Sequence, residues 1–94
     1  MKTFDEIESK PFLENLKDWE FKNNAIERNF QFKNFSKSLA FIIQVGLLAE
    51  KANHHPEIWN IYNKVKIRLI TQDADGITQK DFDLANEIQK IGFG

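Results

Sequence analysis

The stretch that most restricts the fold runs from Asn34 to Pro56, NFSKSLAFIIQVGLLAEKANHHP. Between Leu39 and Ala49 its only polar side chain is Gln44. Apolar residues spaced by three and four predict one long helix. Phe35, Leu39, Ile42, Gly46 and Ala49 form one stripe on it, and Phe41, Val45, Leu48 and Ala52 form a second. Asn34 is placed to cap its start. Pro56 is placed to stop it, because the residue before a proline is pushed out of the helical region. A helix lying on a sheet needs one apolar stripe. A second stripe would be an exposed patch unless another copy covered it, so a homodimer or homotetramer is expected.

The flanking segments carry the other period. In WEFKNNAIERNFQF, Trp19 and Phe21 alternate with Glu20 and Lys22, and Ile26, Arg28, Phe30 and Phe32 alternate with polar residues. Asn23-Asn24 between them suits the positive φ of a tight turn, so a hairpin is expected, with Arg28 the exception on its apolar face. After Pro56, Ile58, Asn60 and Tyr62 lead to a turn expected at Asn63-Lys64. Val65, Ile67, Leu69 and Thr71 follow on one face. Before the first hairpin, Thr3-Phe4-Asp5-Glu6 has the form of a capping box, while Ser9-Lys10-Pro11 could equally start a helix. A short helix reaching Leu16, with Phe12, Leu13 and Leu16 inward, is the preferred reading. Thr78-Gln79-Lys80-Asp81 opens a last helix whose inner side is Phe82, Ala85, Ile88 and Ile91, and Gly76 in the preceding DADG is read as a turn residue. The order α-β-β-α-β-β-α is most economically an α+β fold, a four-stranded antiparallel sheet with three helices on one face.

Ninety-four residues bound this to a single domain, 1–94, and 41% hydrophobic residues with nine Phe suffice for its core. A net charge of −1 without a basic tract argues against direct nucleic-acid binding. The absence of cysteine excludes disulfides, thiolate zinc sites and cysteine nucleophiles. No apolar run resembles a signal peptide or a membrane span, so a cytoplasmic protein with no membrane association is expected.

The chain has two histidines, His54 and His55, side by side before Pro56. They lie at the negative end of the long helix, where a protonated imidazole is favoured, as a general acid requires. The plain alternative is a helix end decorated with two polar residues. A metal site is not expected, since adjacent residues chelate poorly and no further histidine or cysteine completes a shell.

Glu50-Lys51-Ala52-Asn53-His54-His55-Pro56, followed by Tyr62 six residues after the proline, resembles the signature of the pterin-4a-carbinolamine dehydratases. FQFKNFSKSLAFI, HHPEIWNIYNKVKIRLITQ and GITQKDFDLANEI, with Asp81, extend the likeness over most of the chain. The resemblance implies the element order derived above. It also implies elimination of water from a 4a-hydroxytetrahydropterin to a quinonoid dihydropterin, without metal or redox cofactor, and subunit packing through the long helix. By the same resemblance, His54 and His55 are the catalytic candidates, with His55 first for the acid/base role. Asn53, Thr71 and Gln72 would contact the pterin. Glu50, Tyr62 and Asp81 would stand behind them. The family pattern has a third histidine, sometimes a tryptophan, where this chain has Gln72, and glutamine carries no titratable proton. The alternative reading is therefore a weak or inactive pterin-binding or protein-interaction module of the same fold, like the coactivator branch of the family.

Overall fold

The computed structural model describes residues 1–92. Among the described residues, three α-helices and four strands follow in the expected order: α1 (Glu6–Leu13), β1 (Glu20–Lys22), β2 (Ala25–Gln31), α2 (Phe35–Ala52), β3 (Glu57–Ile61), β4 (Lys64–Leu69) and α3 (Gln79–Gln89). A single 3₁₀ turn, Gln72–Ala74, joins β4 to α3. The sheet is antiparallel with spatial order β1-β2-β4-β3, which leaves β3 as an edge. Ile26 pairs with Leu69, Arg28 with Ile67 and Phe30 with Val65. Alternation places these side chains on one face, and every one of them except Arg28 is buried.

The helices close that face. Phe41 of α2 packs 4.6 Å from Phe30 and 4.9 Å from Phe32, ring centre to ring centre. Phe82 of α3 stacks on Phe12 at 4.3 Å, with Phe4 edge-on at 5.4 Å. Arg28 keeps its charge at the margin, its guanidinium over the Phe30 ring at 4.5 Å and 3.8 Å from Asp18. That contact lets a cation occupy a sheet face that is otherwise apolar.

Four expectations shift on this scaffold. First, α1 is capped by Asp5 with Glu8, a reciprocal box two residues beyond the Thr3–Glu6 pair, and it stops at Leu13 rather than Leu16. Pro11 consequently lies inside the helix, and Leu16 is buried in the turn that follows it. Second, the turn of the second hairpin is Tyr62-Asn63, because Ile61 pairs with Lys64. Asn60 donates its side-chain amide to the Tyr62 and Lys64 carbonyls, and Asn63 donates to the Phe32 carbonyl at 2.9 Å. These side-chain bonds hold the turn one residue early and put Tyr62 at φ 50°. The first hairpin matches expectation, with Asn23 and Asn24 at φ 51° and 63°. Third, Gly76 pairs with Thr71 across an isolated bridge, with a Cβ there a tight 3.3 Å from Thr3 Cγ2, while the positive φ of the turn belongs to Asp75.

The fourth correction concerns α2. Its inner side is Ser38, Phe41, Val45 and Ala49. Phe41 and Val45, expected on the self-association stripe, are core residues, and Val45 is fully buried. The exposed stripe is Phe35, Leu39, Ile43 and Leu47, spaced by four. Ser38 faces inward because its hydroxyl bonds to the Asn34 carbonyl at 3.2 Å, so a polar residue sits on the core side without an unmet bond. No helix among the described residues is long and apolar enough to cross a membrane.

Candidate active site

The site begins with how α2 ends. Asn53 adopts the left-handed conformation, φ 50° and ψ 44°. Its N–H donates to the Glu50 carbonyl, and the His54 N–H donates to the Ala49 carbonyl, both at 3.1 Å. This is the Schellman arrangement, with asparagine where glycine is commoner. The helix is therefore stopped by Asn53, and Pro56 fixes only the approach to β3. The reversal sends the two neighbouring rings to different surroundings: His54 is buried, and the His55 side chain is 59% exposed.

Each ring is held by a carboxylate. His54 Nε2 lies 2.5 Å from Asp81 Oδ1 on α3, and His55 Nε2 lies 2.5 Å from Glu50 Oε1 one turn back on α2. Asp81 is itself fully buried at the third position of α3. Its Oδ2 accepts from the Thr78 N–H at 2.9 Å and from the Thr71 hydroxyl at 2.8 Å. Asp81 is thus a capping residue and a histidine partner at once.

A cleft of about 200 Å³ opens over this arrangement, lined by Asn53, His54, His55, Ile70, Thr71, Gln72, Asp73 and Lys80. Of the expected site residues, Asn53, both histidines, Thr71 and Gln72 come together here. Glu50 and Asp81 stand behind the rings. The Thr71 hydroxyl is turned into the protein and engaged by Asp81 and Thr78, and its backbone N–H and carbonyl are bonded to Gly76 and Ala74, so none of its polar groups is left unbonded at the cleft. Tyr62 is not brought to the site. It sits in the turn at the far end of β3, five residues and roughly 17 Å of strand beyond Glu57, and is 61% exposed. Sequence reasoning missed Lys80, the cleft's cation, and Asp73. A larger cleft of about 300 Å³ between α2 and α3 shares His54 and Lys80 but lacks His55 and Gln72. Both imidazoles line the smaller one.

Residues 2–91 match the family model described as Pterin 4 alpha carbinolamine dehydratase. The chain belongs to this family. Relatives provisionally named pterin-4-alpha-carbinolamine dehydratase include one from Prochlorococcus marinus (strain NATL2A), 46% identical over 85% of this chain and 84% of that protein. Another, from Chloroflexus aurantiacus (strain J-10-fl), is 44% identical over 97% of this chain and 98% of that protein. Among solved structures, a transcriptional coactivator/pterin dehydratase from Brucella melitensis superposes with a TM-score of 0.88 at 37% identity, over 94% of this chain and 96% of that one. A pterin dehydratase-like protein identified as a RuBisCO assembly factor in the alpha-carboxysome superposes at 0.61 with 20% identity, a likeness of fold alone.

Proposed function

We propose that this dehydratase-family chain eliminates water from a 4a-hydroxytetrahydropterin to give the quinonoid dihydropterin. The observation that carries this reading is two histidines on one cleft, each with one ring nitrogen on a carboxylate and the other left for a ligand. In the reaction, the proton on ring nitrogen N5 passes to a base. The N–H electron pair becomes the C4a–N5 double bond, and the C4a hydroxyl leaves as water after protonation by an acid. One proton is taken and one is given, so the enzyme's net proton count is unchanged and exchange with solvent resets the acid and the base. His55 suits the acid/base role because it is open to solvent and can exchange protons between turnovers. His54, buried against Asp81, suits holding and orienting the pterin. Asn53 and Gln72 add hydrogen-bonding groups at the rim, and Lys80 adds a cation. A turnover assay with synthetic carbinolamine tests the proposal. Pterin binding without turnover would instead make the chain a binding module.

Gln72 lines the cleft but cannot titrate. Wild-type turnover is expected to be weak, and Gln72→His to raise kcat by up to about a hundredfold, the low end of what a positioned acid or base contributes. Pre-steady-state rates on both proteins give the comparison. An unchanged kcat in the variant would make the third ring dispensable.

We also propose self-association of the chain. Phe35, Leu39, Ile43 and Leu47 expose 41–66% of their surface along one side of α2, a patch that soluble proteins seldom leave open. Light scattering at micromolar concentration is expected to report a dimer or tetramer, and Leu47→Glu a smaller species that keeps its far-UV circular dichroism. A monomeric wild type would refute this.

A further inference from the structure

We propose that Thr71 and Thr78 are positioning residues that act through Asp81 to hold His54 as the tautomer protonated on Nε2, leaving Nδ1 for the ligand. This deepens the dehydratase reading and rests on it for its catalytic consequence.

The argument counts protons. A threonine hydroxyl has one proton to donate, a backbone N–H has one, and an ionised carboxylate only accepts. The Thr71 hydroxyl lies 2.8 Å from Asp81 Oδ2 and 2.8 Å from the Thr78 hydroxyl. With its proton on Asp81, it must accept from Thr78. The Thr78 oxygen in turn accepts from the Lys80 N–H at 3.3 Å. The Thr78 N–H is also spent on Oδ2, at 2.9 Å. Every donor in the chain therefore points toward one oxygen of Asp81, and all three side chains are buried. Two donors on Oδ2 fix the plane of the carboxyl group, and both are bonds that a carboxylate accepts. Oδ1 is left aimed at His54 Nε2 at 2.5 Å, which must then carry the hydrogen. Nδ1 makes no hydrogen bond among the described residues, and the ring lines the cleft.

Thr71 has a second attachment. Its N–H donates to the Gly76 carbonyl at 2.9 Å, and it immediately precedes the turn that carries Gln72. The residue that aims Asp81 thus also anchors the loop on the opposite side of the cleft, which couples the strand-side rim to the orientation of the ring.

The test uses the full chain labelled with ¹⁵N-histidine, whose spectrum contains only two imidazoles. His55→Gln assigns them. Recorded at a pH where imidazoles are neutral, the expected wild-type result is His54 with its proton on Nε2. In Thr71→Val the ring should become a mixture of tautomers and kcat should fall about tenfold, the size of one lost bond to a charged group, with a smaller change in KM. Thr71→Ser, which restores the hydroxyl, should recover both the spectrum and kcat. A merely structural threonine would lower the melting temperature and leave the His54 signals where they were, and that outcome would overturn the proposal. So would a wild-type spectrum with the proton on Nδ1, which decides the matter even if Thr71→Val fails to fold. A held Nε2 tautomer in a protein with no turnover would defeat the dehydratase reading while leaving the assignment of the ring intact.

Discussion

His55→Ala is expected to lose turnover by about a hundred- to ten-thousandfold, the contribution of one positioned acid or base, with its melting temperature within a few degrees of wild type. The His55 side chain is mostly exposed, and its one bond is to Glu50, itself 76% exposed. An exposed ion pair of this kind contributes between nothing and about 1 kcal/mol to stability, so the fold does not depend on it. His54→Ala should differ in kind. It removes the partner of a fully buried carboxylate, so it should weaken pterin binding and also lower stability by about 1–3 kcal/mol. Melting curves and kcat/KM for both variants check the pair. Two variants with wild-type turnover would leave the histidines as bystanders at a helix end.

Val45→Glu should be the most damaging change in α2. Val45 has no exposed surface and lies on the stripe that meets the sheet. A carboxylate placed there has no partner among its apolar neighbours, and a loss of at least about 3 kcal/mol follows. For a domain of this size that corresponds to a drop in melting temperature of roughly 12 °C or more, a large share of the about 5–15 kcal/mol that such domains possess. Thermal denaturation gives the reading directly. A Val45→Glu protein that melted like wild type would return the residue to the surface. Leu47→Glu, two residues on and 66% exposed, should leave the folded subunit intact.

That contrast shows where the sequence was legible. The period of α2 could be read, because spacing of three and four is a property of the chain itself. Its rotation about the axis could not, because two apolar stripes compete and only the sheet decides between them. Ser38 pointed the wrong way in composition, yet its hydroxyl is satisfied by its own helix and it faces the core. The caps at Asn34 and Thr78 and the turn at Asn23-Asn24 were readable because one side chain meets one local backbone need. The second hairpin was misread by one residue because its turn depends on Asn63 reaching Phe32, 31 positions away. In the site, the histidine pair, Asn53 and Gln72 were visible as a motif. The inward turn of the Thr71 hydroxyl and the arrival of Lys80 at the cleft were not, since both follow from how α3 docks beside the end of β4.

The left-handed Asn53 bears on how variation at this position is to be interpreted. Only a few residue types enter that conformation readily: glycine, asparagine and, less often, aspartate. The backbone alone therefore selects from this short menu, whatever touches the ligand. The asparagine at this position therefore answers to handedness as much as to recognition. The informative exchange is Asn53→Gly, which satisfies the turn and deletes the side chain. Persistence of pterin affinity in that variant would credit the residue to helix termination, and its loss would credit it to the substrate.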